Sequence, residues 1–244
     1  MRLLDRQVRL LDYLTSSDAI FGDEEDAAPD SALKGMDPRL LRLEARFSYE
    51  KRMEKIIAVF PKTCRLLGAE RAAMVRAFVK AYPPTDITRI KNARQFYDFL
   101  RSWWQRQPPD LPYLEDVAAC ELAIARAHVS FEAPHDKPLN GTEPPRDGIR
   151  RHPDVVLLRC AYNIRPVVED DDVEDVAVTK RDTPLAIAIP PAEQHPKVFE
   201  LSPPVFDVLA ALDDWTNRSE LGAASEVDEF ISELAQHGLI EARG

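Results

Sequence analysis

The chain reads KVFELSPPVFDVLAAL at residues 197–212 and SEVDEFISELAQHGLI at residues 225–240, and these two stretches are the strongest indication of its fold. The residues before Ser202 are typical of a short strand, and Ser202 with Pro203 is a good helix start, since serine caps free amides and proline fits the first turn. The second stretch has apolar residues at helical spacing, and Gly238 suits its end. A strand followed by helices is the outline of a small winged-helix domain.

This C-terminal region is acidic. Residues 197–244 contain three Lys or Arg residues and ten Asp or Glu residues. The last predicted helix contains no Lys or Arg, and it carries the acids Glu226, Asp228, Glu229 and Glu233. Phosphates would be repelled by such a surface, so the pattern predicts a domain that holds a peptide rather than DNA. A winged-helix regulator is the alternative, and it would need a basic recognition helix.

The first half of the chain has a different pattern. Apolar residues recur every three or four positions, which indicates amphipathic helices, and prolines such as Pro61 and Pro83 punctuate them because proline cannot continue a helix. We expect an all-helical bundle over residues 1–131. Its predicted helices cover residues 3–14, 40–59, 64–82, 96–104 and 113–128.

The pattern changes after residue 131. Prolines and Gly141 predict a linker over residues 132–152. Beyond it, apolar runs of strand type lead into the C-terminal pattern, so we expect a winged-helix α/β domain over residues 153–244. The predicted class of the whole chain is α+β. The predicted strands cover residues 155–158, 162–168, 176–179, 185–189 and 198–201.

The sequence offers little sign of catalysis or of a resident metal. Five histidines stand singly, and no Cys-x-x-Cys motif occurs among the three cysteines. A free-standing hydrolase would need a nucleophile and a base, and nothing local favours such a pair. We expect no cofactor in this chain. Charges near the N-terminus and the lack of an apolar run of membrane length lead us to expect a cytoplasmic protein.

A tryptophan pair is the most prominent aromatic feature of the helical half. Phe96, Phe99, Leu100 and Trp103 are expected to share a core face, which leaves Trp104 as the candidate for contact with a partner. Residues 37–107 contain sixteen basic and seven acidic residues, so this half could dock on an acidic surface. Solvated charge on both halves is the simpler alternative.

A series of short motifs runs through both halves in order. The helical half contains YxxR at 49–52, VFP at 59–61, RLLG at 65–68, YPP at 82–84, DFL at 98–100, LPYL at 111–114 and Glu121. The second half continues with HPDVVLL at 152–158 and YNIRP at 162–166. The series resembles the HvfC/BufC-type family, which includes the subunits MbnC of methanobactin biosynthesis and TglI of 3-thiaglutamate biosynthesis. The resemblance covers about residues 40–240.

The resemblance implies a role as a partner. Members of this family are subunits of multinuclear non-haem iron oxygenases, TIM-barrel enzymes that modify ribosomally made peptides, and iron is held by the oxygenase. The C-terminal domain would be a RiPP recognition element, which captures the leader of a precursor or carrier peptide. The helical half would then pack on the oxygenase as a heterodimer. We expect partner contacts from Tyr49, Arg52, Trp104 and Tyr113.

The resemblance also implies where a peptide would bind. An extended leader would add to the edge of the strand before the first helix of the domain and rest on the last helix. The strand residues are Lys197, Val198, Phe199, Glu200 and Leu201. The helix residues are Val227, Phe230, Ile231 and Leu234, although Phe230, Ile231 and Leu234 would also suit a core.

Within the family we favour a TglI-like role, in which the complex excises the β-carbon of a C-terminal cysteine on the way to 3-thiaglutamate. We prefer this role because the chain is longer than a compact MbnC-like protein and keeps a complete tail domain. Oxazolone and thioamide formation of the MbnC type, or thiooxazole formation of the HvfC/BufC type, are alternatives. A scaffold protein without an oxygenase is an alternative from another class.

Overall fold

The structure is a computed structural model, and it describes residues 3–22, 33–83, 88–132, 145, 147–170, 176–221 and 225–243. These residues form a mixed helix and sheet fold, which confirms the predicted α+β class. The chain divides into two compact units, Met1–Pro112 and Tyr113–Gly244. We call them the helical unit and the mixed unit.

The helical unit is built from six helices within its described residues. Their bounds are α1 (Leu3–Leu14), α2 (Ser17–Phe21), α3 (Pro38–Ile57), α4 (Pro61–Leu66), α5 (Arg71–Ala81) and α6 (Arg89–Arg106). The Asp37 side chain caps α3 by accepting the Arg39 N–H at 2.8 Å. The single helix predicted over residues 64–82 is divided into α4 and α5, because Gly68 has a φ of +50° between them.

Aromatic rings fill the core of the helical unit. Phe78 lies with its ring centroid 5.1 Å from that of Phe96 and 5.6 Å from that of Phe99. Phe60 reaches the same cluster at 5.7 Å from Phe96. All four rings are buried. The cluster joins α5 and α6 to the start of α4, and edge-to-face contacts of this kind add to the burial of apolar area.

The mixed unit contains four helices and six strands within its described residues. The helices are α7 (Leu114–Glu132), α8 (Arg165–Glu169), α9 (Pro203–Ala211) and α10 (Ser225–Gln236). The strands are β1 (Gly148–Arg151), β2 (Val156–Tyr162), β3 (Lys180–Ala188), β4 (Lys197–Glu200), β5 (Thr216–Asn217) and β6 (Ile240–Ala242).

Two small antiparallel sheets organise this unit, with strand orders β5-β1-β6 and β2-β3-β4. One face of the second sheet packs on the core that contains Leu209 of α9 and Ile231 of α10. On the other face, helix α7 packs against β2 and β3. The central strand β3 is therefore buried from Thr183 to Ala188, as expected for a strand covered on both faces.

The division between the units lies earlier than the predicted boundary. Helix α7 was expected in the bundle, but its Asp116 carboxylate accepts the Tyr162 N–H of β2 at 3.0 Å, and the helix belongs to the mixed unit. Most of the predicted linker over residues 132–152 lies outside the described residues, and its last part contains β1, where Ile149 is fully buried. The apolar periodicity of α7 shows that one side is buried without showing whether helices or a sheet cover it.

Two of the predicted strands are not strands. The stretch predicted over residues 162–168 turns into α8, which begins with Pro166 in its first turn and is closed by an Arg165–Glu169 ion pair at 2.6 Å. Residues 176–179 lead into β3 without forming a strand. Short apolar runs do not distinguish strands from helical turns by their periodicity alone.

Candidate peptide-binding edge

Strand β4 is the site to which the sequence pointed, and the strand predicted there is confirmed. It pairs only with β3 among the described strands, antiparallel, with Phe199 opposite Ala186 and Lys197 opposite Ala188. The other side of β4 is therefore an edge of the sheet. An edge strand presents unpaired N–H and C=O groups, which form a template for another extended chain.

The register shows which backbone groups face outward. The Leu201 N–H donates to the Pro184 carbonyl at 2.9 Å, so residue 201 directs its backbone groups toward β3. In an antiparallel ladder this direction alternates along the strand. Phe199 therefore also points its backbone toward β3, whereas Val198 and Glu200 point theirs to the open side. These two residues offer the pattern of donors and acceptors that a strand added to β4 would pair with.

Side chains of β4 also alternate. Phe199 packs against the core cluster that contains Ile231 and Leu234 of α10, and its ring centroid lies 5.1 Å from that of His237 in the turn after α10. Helix α10 ends there because Gly238 has a φ of +69° and the Leu239 N–H bonds back to the Leu234 carbonyl at 2.9 Å. The last turn of α10 thus flanks the open edge.

The predicted helix residues divide into core and surface. Ile231 is 3% exposed and Leu234 is 6% exposed, so both are core residues of the mixed unit. Phe230 is only partly buried and borders the same cluster. The side chain of Val227 lies outside the described residues. Of the three helix residues whose side chains are described, only Phe230 therefore keeps an accessible part.

His237 is a residue beside β4 that the sequence did not indicate, and its ring lies against that of Phe199. It is exposed and lies seven residues after Phe230, which places both on one side of α10 after two helical turns. That spacing was present in the sequence. The spacing alone did not indicate a site, because the sequence does not show that Phe199 of β4 lies against the His237 ring.

Both charged ends of β4 are paired within the chain. The Lys197 ammonium binds Glu193 at 2.5 Å. The Glu200 carboxylate accepts from Arg181 at 2.8 Å and lies 3.6 Å from Arg165. These pairs fix the side chains at the ends of the strand, while the backbone groups of Val198 and Glu200 stay on the open side.

The structure reverses the expected exposure of the two tryptophans. Trp104 is 4% exposed, whereas Trp103 is half-buried and lies with its ring centroid 5.6 Å from that of Phe99. Residues 96, 100 and 104 follow one another at four-residue spacing, so Trp104 continues the buried face of α6. Trp104 is therefore not a surface contact for a partner.

Arg52 also lies in the core instead of on a docking surface. Its Nε donates to Asn92 Oδ1 at 3.1 Å, and its Nη1 donates to the Tyr82 carbonyl at 2.8 Å. The guanidinium lies 4.6 Å from the centroid of the Phe78 ring. Burial lowers the pKa of Arg52 to about 10. This side chain ties α3 to α6 and to the end of α5.

The two tyrosines expected at the partner interface are half-buried. Tyr49 meets the Phe21 ring edge-on at a centroid distance of 5.0 Å, and burial raises the pKa of its hydroxyl. Tyr113 lies 6.3 Å from the Tyr162 ring within the mixed unit. Each ring therefore has an intramolecular packing role, and part of its surface faces outward.

The cysteines and the acidic groups do not assemble a reactive centre in the part of the chain that is described. Cys64, Cys120 and Cys160 are buried, and none of them forms a disulfide. Burial raises the pKa of Cys120 to about 12 and also raises the pKa of Cys160, which disfavours the thiolate that a nucleophile needs. Among the described residues, no group of three or more His, Cys, Asp or Glu side chains could hold a metal ion.

Two cavities of the mixed unit lie away from the β4 edge. One of about 380 Å³ is lined by residues that include Arg126, Arg151 and Phe206. Another of about 240 Å³ is lined by residues that include His152, Pro190 and Gly238. Neither is lined by a residue of β4, so the candidate site is an open strand edge.

Within the described ranges, no helix has the length and apolar character needed to cross a membrane.

Comparison with known proteins adds no relative. A scan of protein-family models found no match to this chain, and a search of curated proteins found none either.

Proposed function

We propose that this chain is a non-catalytic substrate-recognition subunit that captures an extended peptide at the open edge of β4. The observation that carries the proposal is the register of β4, which turns the backbone groups of Val198 and Glu200 outward beside the last turn of α10. A peptide strand would gain main-chain hydrogen bonds there, and its alternate side chains would meet Phe199 and Phe230.

The order of elements around this edge supports the winged-helix, RiPP-recognition-element part of the proposal. Strand β4 leads into α9, a 3-10 turn at Arg218–Leu221, then α10 and β6. A role in DNA binding is disfavoured because α10 has no Lys or Arg and carries exposed Asp228, Glu229 and Glu233. The chain is then a peptide reader of winged-helix type rather than a regulator.

The family resemblance extends the proposal to a partner. We propose a cytoplasmic heterodimer with a TIM-barrel multinuclear iron oxygenase, in which iron belongs to the partner and the peptide presents a cysteine to it. We favour β-carbon excision from a C-terminal cysteine, as in 3-thiaglutamate biosynthesis. Oxazolone, thioamide or thiooxazole formation would use the same recognition step.

Exposed apolar side chains of the helical unit replace Trp104 and Arg52 as candidates for docking. They project from two helices that pack on each other, α1 and α3. Exposed apolar groups of this size on neighbouring helices are typical of protein interfaces. The residues are Leu3, Leu4, Val8, Leu11, Leu40, Leu43 and Phe47.

The peptide-binding proposal is tested with a matched pair of variants at one residue. Full-length protein is used to select binders from a displayed library of random twelve-residue peptides, and the binders are measured again with Glu200→Pro and Glu200→Ala. Proline removes the outward N–H, whereas alanine keeps it and removes only the carboxylate. We expect roughly tenfold weaker binding for Glu200→Pro and less than about threefold change for Glu200→Ala.

The opposite edge of the sheet supplies the control. Arg159 of β2 lies opposite Pro184, whose backbone carbonyl faces β4. The backbone groups of Arg159 therefore point to the outer side of β2. Arg159→Pro should leave peptide binding unchanged, with folding checked by circular dichroism. Equal binding by Glu200→Pro and the wild-type protein would reject the β4 edge.

The partner is tested by co-expression with the iron oxygenase encoded nearest to this gene, followed by size-exclusion chromatography and iron analysis. We expect a one-to-one complex with iron in the oxygenase. Phe47→Asp should weaken the complex, whereas Ala73→Asp, an equal charge change at an exposed site of α5, should not. A chain that elutes alone would favour the scaffold alternative and leave the peptide-binding test intact.

A further inference from the structure

A strand added to β4 would continue the pleat of the sheet. Side chains of a strand alternate between its two faces, so half of the peptide side chains would lie on the face of Phe199. That is the face on which β4 and α10 share the core cluster. A peptide strand added at this edge would therefore turn every second side chain toward α10.

The side of α10 that carries Phe230 and His237 is aromatic. Phe230 and His237 lie two turns apart on one side of the helix, and the His237 ring is in contact with Phe199. Phe230 is partly buried and His237 is exposed. Peptide side chains on this face would pack on these rings, which can receive apolar groups and the face-on approach of a cation.

The same side of α10 also carries negative charge. Glu233 lies three residues after Phe230 and four before His237, so it borders the same side, and Glu229 lies one turn before Glu233. Both are exposed. The cations near the edge are engaged within the chain, since Lys197 binds Glu193 and Arg181 binds Glu200. On α10 itself, Asp228 is the acid that Arg218 binds, at 2.6 Å.

We propose that the peptide captured at β4 carries Lys or Arg together with apolar residues at every second position, namely those positions of its extended segment whose side chains face α10. The inference rests on the proposed function and names the class of peptide. Glu229 and Glu233 would attract the cations, and the rings of Phe199 and Phe230 would receive the apolar side chains. A peptide acidic at these positions would be repelled.

The test uses the peptides selected from the random library by the full-length protein. Those whose binding falls with Glu200→Pro are sequenced and compared with the starting library. We expect an excess of Lys and Arg at alternate positions in these peptides. Glu233→Lys should weaken their binding roughly fivefold at low salt, and the difference should shrink at high salt because exposed charge pairs are screened.

The matched control reverses an acid elsewhere on the same unit. Asp214 is exposed in the loop between α9 and β5, and Asp214→Lys makes the same change in charge. Its effect on binding should stay below about twofold. If peptides sensitive to Glu200→Pro carry no excess of cations, or Glu233→Lys binds them as the wild type does, the charge preference is rejected while peptide capture stands. If no selected peptide responds to Glu200→Pro, peptide capture itself fails.

Discussion

The helical unit and the mixed unit use their polar and aromatic groups in opposite ways. In the helical unit, Trp104 and the Arg52 guanidinium are turned inward and hold helices together. In the mixed unit, the backbone of Val198 and Glu200 is turned outward on an edge strand. Residue type is therefore a poor guide to which side chains of the helical unit are exposed. Position in a sheet is a good guide to which backbone groups of β4 are exposed.

The largest effect is expected when the two tryptophans of α6 are truncated separately. Trp104→Ala should destabilise the helical unit by about 3–5 kcal/mol, because a large buried side chain is replaced by a cavity. Trp103→Ala should cost about 1 kcal/mol, because its ring is half-exposed. Hydrogen exchange of the α6 amides measures both without assuming that the two units unfold together.

The opposite result of the hydrogen-exchange experiment would contradict the burial of Trp104. If Trp103→Ala increased exchange in α6 more than Trp104→Ala, Trp103 would be the core residue, as the sequence pattern first indicated. Trp104 would then return as a candidate for contact with a partner. Equal increases in α6 exchange for Trp103→Ala and Trp104→Ala would also contradict the difference in burial between the two side chains.

A smaller effect is expected at Arg52. Arg52→Ala removes the donors to Asn92 Oδ1 and the Tyr82 carbonyl, which should destabilise the helical unit by roughly 2–3 kcal/mol. Arg46→Ala serves as the matched control, because Arg46 is exposed on the same helix and should cost less than about 0.5 kcal/mol. Hydrogen exchange of α3 and α6 is again the measurement.

The same pair of variants separates a structural role of Arg52 from a docking role. Wild-type exchange in Arg52→Ala, together with a weaker oxygenase complex, would place Arg52 on the interface and contradict its burial. Faster exchange in Arg52→Ala alone would agree with a residue that ties α3 to α6 and acts on the partner only through the fold.

Much of the mixed unit's candidate site could be predicted because it follows local rules. The β4 strand, the helix that begins at Pro203 and the end of α10 before Gly238 were all indicated by neighbouring residues. The side-chain cap expected from Ser202 does not form, although Ser202 is the N-cap residue of α9. Strands β1, β5 and β6 were missed. They are two to four residues long and gain their stability from partners distant in sequence, so their local pattern is weak.

Local sequence patterns were sufficient to predict the α+β class, most helices of the first half, the strand–helix pattern of residues 197–212 and the acidity of α10. These are local properties, set by the periodicity of side chains and by the conformations that proline and glycine allow. Local patterns did not predict α2 or the division between α4 and α5. The burial of Trp104, the packing of α7 on a sheet and the outward direction of Val198 and Glu200 became clear from the three-dimensional fold. Those outcomes depend on which neighbour each face meets, because one pattern of apolar residues can be buried by a helix or by a sheet.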